Sequence, residues 1–417
     1  MELTFATALH IRKVRHLENI EIPLDGQHRK NLILTGKNGS GKTSVLEELV
    51  SHLEYIVSEA FHSEDECRTQ IMAFEKMIRQ LTDSEQDKRH SISIQSNKKA
   101  WECELKNWTA GVVVDWTSLA LMREKYKEGT FILASFGDRR NIEVEISKNI
   151  VKVDLHTVYG ICAAPVRDLA KYLVNLKSTR AFALEKGDQK RAQQIGEWFD
   201  RFQNILRKIY HDPSLVLDFD IENYRFNILI NGRQPFDFNS MSMGYSAVFD
   251  IIGNLIMRME SQHRYDLEGI VLIDEIETHL HVELQKDVLP ILTELFPNLQ
   301  FIISTHSPFV ISSAENAVIY DLENHLLVEN GLTNLPYEGI VEGYFGADLL
   351  SQELREKFEE YRELAVKPQL TPAEYARIGE LEMYLDEVPD YLALPLSSEY
   401  HQLKLELDKR GKRHGKD

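Results

Sequence analysis

Two stretches of this chain carry residue types whose spacing can do chemistry on a phosphate. The first is Gly36-Lys37-Asn38-Gly39-Ser40-Gly41-Lys42-Thr43, followed by Ser44, and it fits G-x-x-x-x-G-K-[ST]. Three glycines let the backbone curl until its N–H groups face phosphate oxygens, at a helix start whose dipole favours anions. Lys42 then reaches the β- and γ-phosphates, and Thr43 offers its hydroxyl to Mg²⁺. The second stretch is Asp274-Glu275, two carboxylates that close the apolar run Gly269-Ile-Val-Leu-Ile273. Asp274 is expected to hold Mg²⁺, directly or through water, and Glu275 to polarise an attacking water as general base.

These groups need elements that bring them to one place. Leu32-Ile33-Leu34 leads into the glycine loop as a strand, and Val45, Leu46 and Leu49 lead out on one face of a helix. The acid pair ends a buried parallel-type strand, so it falls on the carboxyl edge of a sheet, where the loop also lies. A further apolar strand, Leu299 to Ser304, ends in Thr305-His306, and a histidine on that edge can hydrogen-bond a γ-phosphate. Ser240-Met-Ser242-Met-Gly244-Tyr245 is a turn that opens the apolar helix Val248 to Ile256. Arg139 and Arg140, after the strand Phe131–Ala134, are either charge stabilisers at the phosphate mouth or surface charges. His279 and His281 have no third ligand in spacing and read as loop structure.

Along the rest of the chain, Leu3 to Leu24 alternates as a hairpin, and Phe61 to Leu81 is helical. Ser84 to His90 reads as a turn, and His90 to Asn107 as a short antiparallel pair. Val112–Val114 and Ile142-Val144-Ile146 read as strands, Ala164 to Tyr210 as helical, and Phe219 to Ile230 as strand again. After the strand Val318–Tyr320, Asn330-Gly331 turns out of the core into charged helices.

The bulk composition narrows the function. With 417 residues, 43% of them hydrophobic and 27% charged, the chain reads as an ordinary globular protein. No run is apolar enough to span a bilayer and no apolar leader opens the chain, so the expected location is cytoplasmic, with no membrane partner. Three cysteines in no metal-like spacing give no disulfide or zinc framework. A net charge of −18 excludes a surface that coats nucleic acid and leaves only a local basic groove for such contact. The basic tail Lys409 to Lys416 reads as a solvated end.

The glycine loop, the Ser242/Gly244 turn, the acid strand, the turn Glu277–His281 and His306 follow one another in a known order. The set resembles the ABC-type ATPase heads of the RecF, SMC and OLD kind, and within them the ATPases of bacterial anti-phage systems such as PARIS and Septu. Ile303-Ser-Thr-His-Ser-Pro-Phe309 carries the most specific likeness. The resemblance implies an α/β P-loop NTPase head with an N-terminal β-hairpin, a mixed central sheet, a helical insertion and a helical C-terminal appendage. Its core falls on 1–60 and 216–330, the β/helical insertion on 61–215 and the appendage on 331–417.

It implies a mechanism as well. ATP is sandwiched between two copies, with Ser242 and Gly244 acting in trans and Lys42, Thr43, Asp274, Glu275 and His306 in cis. The turn departs from the transporter Leu-Ser-Gly-Gly-Gln, and no glutamine-bearing coupling loop is recognisable. OLD proteins carry a Toprim nuclease on clustered acids. Here Glu359, Glu360, Glu380, Glu382, Asp386 and Glu387 lie on helical repeats. The expected effector is therefore a separate chain, such as a Toprim or HNH nuclease, governed by an ATP- and Mg²⁺-dependent homo-oligomer in anti-phage defence. The alternative is a RecF-like, ATP-dependent DNA-binding protein of repair.

Overall fold

The structure is a computed structural model that describes residues 3–80, 85–146, 149–329, 331–332, 352–367, 369–386, 399–405 and 407. The expected hairpin forms: β1 (Ala6–Val14) and β2 (Leu17–Pro23) pair antiparallel across a tight turn in which Arg15 takes a left-handed φ of 54°. β4 (Gly111–Trp116) joins the other edge of β1. A second sheet takes its strands from distant parts of the chain. β3 (Asn31–Thr35) pairs in parallel with β9 (Leu299–Ser304), β9 with β8 (Glu268–Ile273), and β8 with β5 (Phe131–Phe136). On its other side β3 meets β10 (Ala317–Asp321) in parallel, and β11 (Leu326–Val328) closes the edge antiparallel. The central sheet is thus mixed, six strands wide, and β3 lies inside it.

Helix α1 (Lys42–Val57) buries Val45, Leu46, Leu49, Leu53 and Ile56. These share one apolar cluster with Leu9, Ile11 and Val112 of the antiparallel sheet and with Leu32, Leu34 and Ile302 of the central one. α1 is therefore gripped by two sheets. Most of α7 (Met243–Glu260) is buried, polar groups included. Arg258 donates to the carbonyls of Leu133, Gly160, Ile161 and Ala163, and Glu260 accepts from Tyr172 and Trp198. α8 (Val282–Leu295) leads from the acid turn back to β9.

Several expectations change. His90 to Asn107 is not a strand pair but lies within α3 (Glu85–Thr109), which packs on α2 (Glu64–Gln80). Ile94, Trp101 and Trp108 recur every seven residues on its inward side, whereas Cys103, which suggested alternation, is exposed. The helix also takes up most of the expected Ser84–His90 turn. Residues 142–146 form no strand, because the Asn239 side chain, not a ladder, pairs Val144 through its N–H (2.8 Å) and its carbonyl (2.9 Å). Phe219 to Ile230 spans the end, turn and return strand of a hairpin, β6 (Val216–Asp220) with β7 (Arg225–Leu229). The helical stretch is two helices, α5 (Leu169–Glu185) and α6 (Gln189–Tyr210), while α4 (Leu119–Lys127) went unforeseen. Segment 61–215 is not wholly an insertion: its β4 and β5 complete the two sheets.

The chain divides into units 1–334 and 335–417. In the second, α10 (Gln352–Val366) and α11 (Pro372–Asp386) bury Phe358, Tyr361, Ile378 and Leu381. α9 (Pro308–Ser312) precedes both, in the first unit. Arg377 spans Glu360 and Glu380, and Lys404 meets Asp386, so these acids are paired helix residues. Asn330, Glu387 and the basic tail lie outside the described residues.

Candidate phosphate site

The loop after β3 is shaped by its glycines, with φ of 130° at Gly36, 87° at Gly39 and 101° at Gly41. A Cβ on Gly36 would stand 2.9 Å from Ser40 Oγ and 3.2 Å from Asp321 Oδ1, so only glycine fits that place. Gly41 caps α1 with no side-chain hydrogen bond, which leaves the N–H groups of the first turn for an anion. Lys42 Nζ donates to the carbonyls of Gly36 (2.9 Å) and Lys37 (3.2 Å) and lies 3.5 Å from Ser40 Oγ. Burial pushes this ammonium below its ordinary value, while Glu275, Glu277, Asp274 and Asp321 pull it up. A buried cation facing four acids is the complement of a phosphate with its metal. Lys37 and Asn38 are exposed, Ser40 and Ser44 are buried, and Lys37 pairs with Glu323 at 2.9 Å. A cleft of about 540 Å³ opens beside the loop between His16, Leu17, Asn38, Glu323 and His325.

The acids reach the same edge because β8, β9 and β3 are neighbours in register, Ile273 opposite Ile303 and Leu34 opposite Ser304. Past the strands, Thr305 N–H still donates to Leu34 O (3.0 Å) and Ile276 N–H to Ser304 O (3.1 Å). Ser304 joins the two acids: its hydroxyl donates to Asp274 Oδ1 and accepts from Glu275 N–H at 2.7 Å. Asp274 is buried and Glu275 half-buried, with a left-handed φ of 45°. Thr278 Oγ1 donates to Glu275 Oε2 at 3.2 Å. His306 N–H donates to Glu277 Oε1, while Glu277 Oε2 is buried without a partner. The His306 ring is lowered first by burial and then by Lys42, against Glu277, Glu275 and Asp274, so loop, acids and histidine share one field.

Ser242 and Gly244 are not in that field. Ser242 is the exposed N-cap of α7 and makes no capping bond, and Met243 beside it is 63% exposed. Gly244 packs on the turn after the acids, where a Cβ would meet His279 O at 3.0 Å. His281 caps α8 by accepting from Leu284 N–H, and His279 holds a left-handed φ of 69°, so both belong to the loop as expected. Arg139 is exposed, whereas Arg140 is buried and donates to backbone carbonyls. Asp321, Ser304 and Glu277 were not foreseen, since no local pattern marks a polar residue whose partners lie on other strands.

Residues 159–312 match the family model described as an AAA domain, putative AbiEii toxin, Type IV TA system. The matched stretch takes in α7, the acid turn, α8 and β9. Septu protein PtuA of Bacillus mycoides (strain KBAB4) is similar to this chain at 22% identity over 390 residues, 91% of the chain and 50% of PtuA. The chain thus spans about half the length of that relative. The Retron Vc95 probable ATPase of Vibrio cholerae is 21% identical over 364 residues, 72% of the chain and 70% of the relative. An SMC head domain from Thermotoga maritima superposes with a TM-score of 0.36 at 11% identity, over 76% of this chain and 94% of that one. Among the described residues no helix is long and apolar enough to cross a membrane.

Proposed function

We propose that the chain hydrolyses ATP with Mg²⁺ as the sensor and scaffold of an anti-phage defence system. One observation carries this reading: Lys42, Asp274, Glu275 and His306 come to one edge of the central mixed sheet, in a chain similar to a Septu protein and a retron ATPase. Residues Gly36 to Ser44 hold the phosphates, and the adjoining cleft takes the rest of the nucleotide. Thr43 and Asp274 hold the Mg²⁺, whose chemistry there is to neutralise charge developing on the β- and γ-phosphates. Ser304 keeps one oxygen of Asp274 in place. Glu275 accepts a proton from the attacking water, and Thr278 Oγ1 donates to one of its carboxylate oxygens. His306, lowered by burial, stays neutral near pH 7 and can donate to the γ-phosphate.

Ser242 stands exposed and unbonded at the start of α7, which supports a role across a subunit boundary. We infer a homo-oligomer, a dimer or higher, in which the Ser242–Gly244 turn of one copy closes on the loop of the next. Assembly and nucleotide state are then thermodynamically linked, and the linkage controls a separate effector, for which a nuclease is the expected class.

Phosphate release by wild type, Lys42→Ala and Glu275→Gln tests this. Lys42→Ala should neither bind nor turn over ATP. Glu275→Gln should bind ATP, slow release by about 10²–10⁴-fold, and shift toward the larger assembly in light scattering. Turnover at the wild-type rate by Glu275→Gln would defeat the assignment.

A further inference from the structure

We propose that Arg140, which no motif marks, is a positioning residue for Glu275, its buried guanidinium setting the backbone turn from which that carboxylate projects. The inference rests on the hydrolytic reading above. Arg140 enters from the segment after β5 and is 4% exposed. One terminal nitrogen donates to the carbonyls of Gly137 (2.9 Å) and Asp274 (2.6 Å), the other to those of Glu275 (2.7 Å) and Ile276 (3.2 Å). Three successive carbonyls of the acid turn are thereby held by one side chain. A planar fork of donors can do this; a lysine ammonium on its flexible stem cannot reproduce it.

The hold matters because of what the turn must do. Glu275 is a non-glycine residue at φ 45°, a conformation that persists only where the surroundings over-determine it. Arg140 supplies that constraint from the carbonyl side, and Ser304 supplies it from the N–H side. Glu277, Asp250 and Asp274 surround the guanidinium with the opposite charge. The segment that carries Arg140 is itself pinned. Ile142 N–H donates to Ser246 Oγ (3.0 Å) and Val144 N–H to Asn239 Oδ1 (2.8 Å), on either side of the Ser242–Gly244 turn. The guanidinium is thus anchored to α7 while it grips the acid turn.

Steady-state hydrolysis by the full chain tests this, comparing wild type, Arg140→Lys, Arg140→Met, Glu275→Gln and the double variant Arg140→Lys/Glu275→Gln. Binding of a fluorescent ATP analogue and Tm are read alongside. Arg140→Lys should lower kcat by about 30-fold, with KM and analogue affinity within about threefold of wild type. The double variant should be no slower than Glu275→Gln alone, because both changes remove one contribution. Should Arg140→Met not fold, the lysine variant, which keeps the charge, still decides. Wild-type kcat in Arg140→Lys, or losses that multiply in the double variant, would overturn the inference and leave the hydrolytic reading standing. An inactive wild type, or Glu275→Gln as fast as wild type, would remove that reading and this inference with it.

Discussion

The two halves of the site reach unusual backbone conformations by opposite means. The phosphate loop uses composition: Gly36, Gly39 and Gly41 take positive φ at no steric cost. The acid turn uses surroundings. Glu275 and His279 hold left-handed φ with full side chains, and Arg140 and Ser304 hold the backbone of the acid pair in place. The difference teaches where each half is vulnerable: the loop to a change of its own residues, the turn to changes far away in sequence.

Gly36→Ala should break the first half most severely. The new Cβ meets Ser40 Oγ and Asp321 at a φ of 130°, and strain of about 3 kcal/mol falls on the loop. Nucleotide binding, followed by calorimetry, should be lost while the far-ultraviolet circular dichroism stays native.

Acid should separate the halves next. His52 lies on α1, the loop's own helix, where burial holds it down to about 4 and Nε2 accepts from Val114 N–H. Its folded value is below its unfolded value of 6.5, so between the two the unfolded chain takes up the proton. Stability is intact above about pH 6.5 and falls as pH drops toward 4, by at most about 3 kcal/mol. Urea melts across that range should show the decline, and His52→Gln should flatten it.

Ser304→Ala probes the second half. It strips Glu275 N–H and Asp274 of a shared buried partner, at a cost of about 2 kcal/mol in a urea melt. Glu275→Gly gives the smallest effect and the opposite sign. Glycine accepts φ 45° freely, so stability should rise by about 1 kcal/mol as hydrolysis disappears. A loss of stability there would show that the turn is not strained.

How legible each part was follows from the same contrast. The glycine loop, the acid strand and the His306 strand are local patterns, and their convergence follows from three apolar strands sharing one carboxyl edge. Arg140 left two readings open because its partners, residues 274 to 276, are far off in sequence. α3 was misread because Ile92 and Ile94 alternate over a few residues, while its true period appears only at Ile94, Trp101 and Trp108. The segment 142–146 has a strand's pattern, but its hydrogen bonds go to the side chains of Asn239 and Ser246 and to the Arg167 carbonyl. A side chain can stand in for a neighbouring strand, and nothing in the alternation reports that.

The tip of the N-terminal hairpin touches the start of α1: Leu17 Cδ1 lies 2.9 Å from where a Gly41 Cβ would stand. Sites in such contact are constrained to drift together across a lineage, yet here the freedom is one-sided. Position 41 is committed by its φ of 101°, so the hairpin tip has to accommodate the loop. Among descendants of this sequence, variation at 17 should be bounded by volume while 41 stays fixed.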